Sequence, residues 1–234
     1  MFYLTGDTHG DFAELIYNIT RLKLTATDCC IILGDAGFNF YLDSSDRRRK
    51  RAMNNLNVPI FCVHGNHEAR PATLPLYEIH KWHGGEVWVE PEFPNLMFAK
   101  DGEIYDLDGR KAIVIGGAYS VDKFYRISRN PYDPKWWPDE QPGETTKERV
   151  EQQLADQGWN IDFVFSHTCP AKYIPIEMFL PGLDQSSVDR STEDWLDTIE
   201  DRLTYKKWFC GHWHTNKSLD RMCFLFHDID TIDE

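Results

Sequence analysis

Phe2 to Asp35 reads FYLTGDTHGDFAELIYNITRLKLTATDCCIILGD, and its hydrophobic period changes twice. The apolar run FYLTGD reads as a strand. After it, Phe12, Leu15, Ile16, Ile19 and Leu22 recur at helical spacing, and CCIILGD gives a second strand. Downstream, a polar, arginine-rich stretch from Ser44 to Leu56 fits an exposed helix, and VPIFCVHGN, Val58 to Asn66, a third strand. This βαβαβ order calls for parallel strands joined by right-handed crossovers.

The middle of the chain has a different rhythm. EVWVE, NLMFAKDG, EIYDLDG and RKAIVIGGA follow closely between Glu86 and Ala118, with turn signals such as Asp108-Gly109, as antiparallel hairpins would. Strand-like IDFVFSH, KWFCGHWH and MCFLFHD come later, with STEDWLDTIEDRL, Ser191 to Leu203, as a helix whose first turn is acidic. The sum is an α/β protein with two packed β-sheets and helices outside. No repeat or linker divides it, so residues 1–234 are expected to form one domain. One segment lacks a clear period: YSVDKFYRISRNPYDPKWWPDEQPG, residues 119–143, rich in proline and aromatics. It should run in order over the surface, either capping the core or walling a substrate site.

Composition narrows the class. Of 234 residues 41% are hydrophobic and eight are tryptophan, which excludes a disordered chain, while no apolar run reaches the roughly 18 to 20 residues of a membrane span. A formal net charge of −13 argues against broad nucleic-acid binding, which relies on lysine and arginine, but not against small anions at a metal site. The six cysteines show no CxxC spacing and mostly lie in strand-like runs, as buried free thiols of a reducing compartment would. With no basic leader before an apolar stretch at MFYLTGD, a cytoplasmic location is expected.

The strand ends carry the chemistry. GDTHG spans Gly6 to Gly10, GDAG spans Gly34 to Gly37, GNHE spans Gly65 to Glu68, IDFVFSH delivers His167, and GHWH spans Gly211 to His214. In open α/β sheets the carboxyl ends of parallel strands gather around one crevice. Asp7 with His9, and His212 with His214, stand at i, i+2, which puts both side chains of each pair on one side of an extended segment. Mixed imidazole and carboxylate donors suit zinc, manganese, iron or cobalt. Trp213, between two ligands, should point into packing. His64, His80, His83 and His227 have no partners at ligand spacing.

This series of motifs resembles the calcineurin-like metallophosphoesterases over nearly the whole chain. The resemblance implies a four-layer α/β/β/α sandwich of two mixed sheets and a pair of divalent transition-metal ions, manganese first, with iron, zinc, cobalt or nickel as alternatives. By motif, Asp7, His9 and His214 would hold one ion, Asn66, His167 and His212 the other, and Asp35 both. The implied reaction is hydrolysis of a phosphomonoester or phosphodiester by in-line attack of metal-bound hydroxide, with His67 as general acid to the leaving group. A phosphate-ester substrate is expected, a small molecule or nucleotide rather than nucleic acid or a membrane. The protein-phosphatase branch has an acidic residue and an arginine soon after the second motif. Here GDAGFNFYLD has Phe38 three residues after Asp35 and no arginine, which weakens a phosphoprotein assignment. A cationic clamp for the phosphate is sought instead in Arg70, Arg126 or Arg129, with Arg126 preferred and Trp136 and Trp137 as stacking surfaces for a ring. A nuclease on the same fold conflicts with the acidic balance, and a non-catalytic scaffold with the complete ligand set.

Overall fold

Nearly all of the first half of the chain goes into one sheet and most of the second half into another. The computed structural model describes residues 1–179, 182 and 185–232. The first half runs β1 (Phe2–Thr5), α1 (Ala13–Leu22), β2 (Cys29–Ile32), α2 (Ser44–Asn54), β3 (Ile60–Cys62), β4 (Glu78–Trp82), β5 (Gly85–Val89) and β6 (Leu96–Ala99). The second half runs β7 (Ile104–Asp106), β8 (Lys111–Ile115), α3 (Lys123–Arg129), α4 (Glu144–Asp156), β9 (Phe163–Ser166), α5 (Ser191–Glu200), β10 (Lys207–Cys210), β11 (Lys217–Leu219) and β12 (Met222–Phe224). The short β13 (Asp230–Thr231) then returns to pair with β1.

The first sheet has the order β13-β1-β2-β3-β6-β5-β4 and the second β11-β12-β10-β9-β8-β7. In each the central strands are parallel (β1, β2, β3 and β6; β8, β9, β10 and β12), and the outer ones are antiparallel.

The pleat explains why the central strands read as unbroken apolar runs. Cys29, Ile31 and Leu33 face the space between the sheets, where they join Phe165 and Phe209 of the other sheet in one core. Cys30 and Ile32 face the opposite way, onto Phe12, Leu15 and Ile19 of the α1 region and Met53 of α2. The second sheet repeats this, with Val164 and Trp208 turned toward Val150 and Leu154 of α4 and Trp195, Leu196 and Ile199 of α5. Strands covered on both faces have no polar side to show, as parallel sheets require. The result is the expected helix, sheet, sheet, helix sandwich.

The closely spaced strands in the middle of the chain do pair as antiparallel hairpins, but in different sheets: β5 and β6 pair in the first sheet and β7 and β8 in the second, so the chain changes sheet between Ala99 and Ile104. An unforeseen hairpin joins β4 to β5 through His83 and Gly84, both at positive φ, as a tight hairpin turn needs. The 119–143 segment also contains the helix α3, none of whose residues is buried.

Candidate metal centre

Every ligand predicted from the motifs lies just past the carboxyl end of a parallel strand: Asp7 and His9 after β1, Asp35 after β2, Asn66 after β3, His167 after β9, and His212 and His214 after β10. Four of them, His9, Asp35, His212 and His214, hold φ between 48° and 63°, the left-handed region that costs an L-residue about 1–2 kcal/mol. That strain lets the turns aim side chains back over the strand ends. Gly34 is required in a stricter sense, because its φ is +102° and a Cβ there would lie 2.0 Å from His167 Nδ1.

Hydrogen bonds to the far atoms of His167, Asn66, Asp7 and Asp35 turn their near atoms inward. His167 Nδ1 donates to the Leu33 carbonyl at 2.8 Å, so Nε2 carries the lone pair. The Asn66 amide Nδ2 donates to Ser120 Oγ at 2.8 Å, which turns Oδ1 inward. There it lies 2.8 Å from His167 Nε2 and 3.1 Å from His212 Nδ1. Asp7 accepts from the His212 backbone N–H through Oδ1 at 2.7 Å, and its Oδ2 is buried without a hydrogen-bond partner, 3.2 Å from His214 Nε2. Asp35 accepts from the His67 backbone N–H through Oδ1 at 2.7 Å. Its Oδ2 lies 3.6 Å from His167 Nε2 and 3.9 Å from His9 Nδ1, between the two groups of ligands. His9 and His214 bring their Nε2 atoms within 3.0 Å of each other.

The facing of acceptor to acceptor across Asn66 and His167 is what a cation satisfies and a hydrogen bond does not. Asp7, His9 and His214 form one group with ligand atoms all within 4.8 Å, and Asp7, Asp35 and His167, and His9, Asp35 and His67, form two more that overlap it. With Asn66 and His212 on the far side of Asp35, the donor set fits a pair of ions. Burial alone would raise Asp7, but the surrounding His167, His214 and His9 imidazoles, when protonated, outweigh it and bring its pKa to about 2. Burial drives His212 well below the usual imidazole value and keeps it neutral, as a ligand must be.

A family model described as calcineurin-like phosphoesterase matches residues 1–216 of this chain. The chain belongs to the calcineurin-like phosphoesterase family. No functionally curated protein matches it. Among solved structures it is similar to TT1561 of Thermus thermophilus, at 13% identity and a TM-score of 0.52, over 96% of this chain and 87% of that one. A phosphopantetheinyl hydrolase from Mycobacterium tuberculosis aligns at 15% identity and a TM-score of 0.42, over 96% and 87% of the two chains. Likeness at such identity concerns the fold.

In this phosphoesterase His67 sits beside the ligands and packs edge-on to His9, with ring centroids 5.3 Å apart. Phe40 stacks on its other side at 6.3 Å, an aromatic ring supplied by the stretch that follows the second motif. The carboxylate comes from elsewhere. Asp122, just before α3, places Oδ1 4.0 Å from His67 Nε2. Burial pulls the His67 pKa below its ordinary value, Asp35 and Asp122 pull it back up, and Arg126 lowers it.

Arg126 is not brought to the ligands as a phosphate clamp. Its side chain is 10% exposed, pairs with Asp122 Oδ1 at 2.9 Å, and donates to the Lys135 carbonyl at 2.6 Å. Arg70 is likewise engaged, by Asp101 and the Asp139 carbonyl. Trp137 packs against Phe40, and Trp136 lies near Lys123. Trp213 stacks on Phe179 with centroids 5.9 Å apart, so it does pack, yet it also walls a cavity of about 560 Å³ that opens from the ligands. Arg190 is the single arginine among the described residues lining that cavity. Neither Asp122 nor Arg190 has a motif of its own. The only sequence signal for Asp122 was its place in the segment that follows the Gly116-Gly117 strand end.

Proposed function

We propose that the chain is a two-metal phosphoesterase that hydrolyses phosphomonoesters or phosphodiesters, with Asp7, His9 and His214 at one ion, Asn66, His167 and His212 at the other, and Asp35 at both. The observation that carries this reading is the convergence of lone pairs around Asn66 Oδ1 and Asp35 Oδ2, each fixed from behind by a hydrogen bond. When bound, two divalent ions supply an activated water for in-line attack and offset charge on the phosphate oxygens. Asp7 and Asp35 are the only carboxylates in the ligand set, so the loaded site keeps an excess of about two positive charges, enough to attract a phosphate ester to an acidic protein.

The chain's own part in the chemistry centres on His67. Its backbone N–H holds Asp35 in place, and its ring, between His9 and Phe40, faces the cavity where a leaving group would lie. An imidazolium there protonates the departing oxygen, and Asp122 stabilises that charge. Manganese is the metal we would load first.

The direct test is metal analysis with activity. Protein reconstituted with manganese should hold about two ions per chain and cleave p-nitrophenyl phosphate or its bis ester, and Asp35→Ala should lower the ion count and activity together. Failure to hydrolyse either ester with manganese, cobalt, nickel or iron would overturn the reading.

A further inference from the structure

We propose that the substrate is an ester bearing a single phosphoryl group on an uncharged apolar or aromatic alcohol, an inference that rests on the phosphoesterase reading above. The cavity of about 560 Å³ that opens from the ligands is within the range of chambers that enclose a small organic molecule. Beyond the histidines and Asp35 its wall changes character. Val121, Ile174, Met178, Phe179, Val188 and Trp213 line it, contributed by the segment after β8, the stretch before α5, and the loop after β10. Val121 and Met178 remain 70% and 51% exposed although they face this chamber, apolar surface that an alcohol moiety would cover.

Charge points the same way. Among the described residues that line the chamber no lysine appears, and Arg190 is the sole arginine. Arg190 follows Asp189 directly, and the buried Glu193 lies one helical turn further along. The third carboxylate away from the ligands, Asp122, is paired with Arg126. A second phosphate, as in a bisphosphate or a nucleoside polyphosphate, would thus leave the ions and enter a wall with more carboxylates than cations. Phosphate recognition needs guanidinium or ammonium donors, and the distal chamber offers one against two. A phenyl or alkyl group meets no such penalty.

Steady-state kinetics of the manganese-loaded protein on three matched alkyl phosphates test this: ethyl phosphate, hexyl phosphate and 1,6-hexanediol bisphosphate. All three leave as primary alcohols, so leaving-group acidity stays nearly constant while the chamber's occupant changes. Hexyl phosphate should exceed ethyl phosphate in kcat/KM by about tenfold or more, chiefly through KM, because each buried methylene adds to binding. The bisphosphate should fall back by a similar factor. Val188→Glu should shrink the hexyl-to-ethyl ratio, and Asp189→Lys, at an exposed position, should narrow the bisphosphate penalty. Equal kcat/KM for ethyl and hexyl phosphate, or a bisphosphate at least as good as hexyl phosphate, overturns this inference and leaves the phosphoesterase reading standing. No turnover of the three alkyl phosphates by protein that cleaves p-nitrophenyl phosphate or its bis ester overturns this inference alone, and no turnover of any of the five esters overturns both.

Discussion

At the scale of single residues, the site depends on what stands behind each ligand. Asp122 reaches His67 from the segment after β8 that also supplies Ser120 to Asn66, and its distance of 4.0 Å fits electrostatic support of an imidazolium better than a direct hydrogen bond. Asp122→Asn is therefore expected to lower kcat by about tenfold, the scale on which an outer carboxylate affects the imidazole it supports, with two ions per chain retained. His67→Ala should cost more, about a hundredfold or greater for an alkyl leaving group. The double variant should be no worse than His67→Ala alone, since the carboxylate acts through the ring. Additive losses in a double-mutant cycle would show that Asp122 acts by another route. The contrast shows what a sequence displays at this scale. The proposed ligands stood in glycine-led motifs or at strand ends, so the cluster was legible. Asp122 and Arg190 sit in irregular segments where neither period nor motif marks them, and the sequence gives no sign that Arg126 will pair with the Asp122 carboxylate.

At the scale of elements, the helix that looks least able to pack is held by charge. α2 has the sequence SSDRRRKRAMN, and Met53 is its only buried apolar residue. It is fastened instead by Lys50, whose Nζ donates to Glu90 Oε2 at 2.7 Å with both side chains about nine-tenths buried, and by Asp43, whose carboxylate caps the Ser45 N–H. Removing one partner of a buried pair leaves the other charge desolvated. Lys50→Met should thus lower unfolding free energy by about 3 kcal/mol in urea titrations, and Lys50→Met with Glu90→Leu should recover most of the loss. A double variant as unstable as the single would mean that the pair contributes attraction beyond its own desolvation. The arginine-rich pattern was enough to place this helix, but other elements left weaker traces. β4 is an edge strand whose first four residues are all exposed, so it has no buried face to write a period-two pattern. In α4 only Val150 and Leu154 of thirteen residues are buried, too few to stand out from its polar positions. The change of sheet after β6 depends on long-range pairing, which local turn signals do not encode.

At the scale of the whole molecule, buried thiols make the fold sensitive to alkali. All six cysteines are buried and free, as their strand-like settings predicted. Burial pushes the Cys30 thiol up to about 12 and carries Cys29, Cys62 and Cys210 well above the ordinary 9.0. Because each folded value exceeds the unfolded one, the folded state binds more protons than the unfolded chain between those two values. The stabilisation is fully present below pH 9 and is lost as pH climbs from there toward each folded value. Well inside that window one pH unit removes up to about 1.4 kcal/mol per thiol, so four such groups together remove up to about 5.6 kcal/mol, comparable to the entire stability of many domains. Half-buried Tyr77 and buried Tyr105, also raised by desolvation, reinforce the trend above pH 10. Urea midpoints of the chelator-treated, reduced protein should then be level from pH 7 to pH 8, begin to fall by pH 9 and fall steeply by pH 10. Cys30→Ala, at some cost near neutrality from the cavity it leaves, should give a shallower alkaline slope. A flat profile to pH 10.5, or an unchanged slope in Cys30→Ala, would show that these thiols become exposed before they ionise and that the inter-sheet and sheet-helix cores open locally.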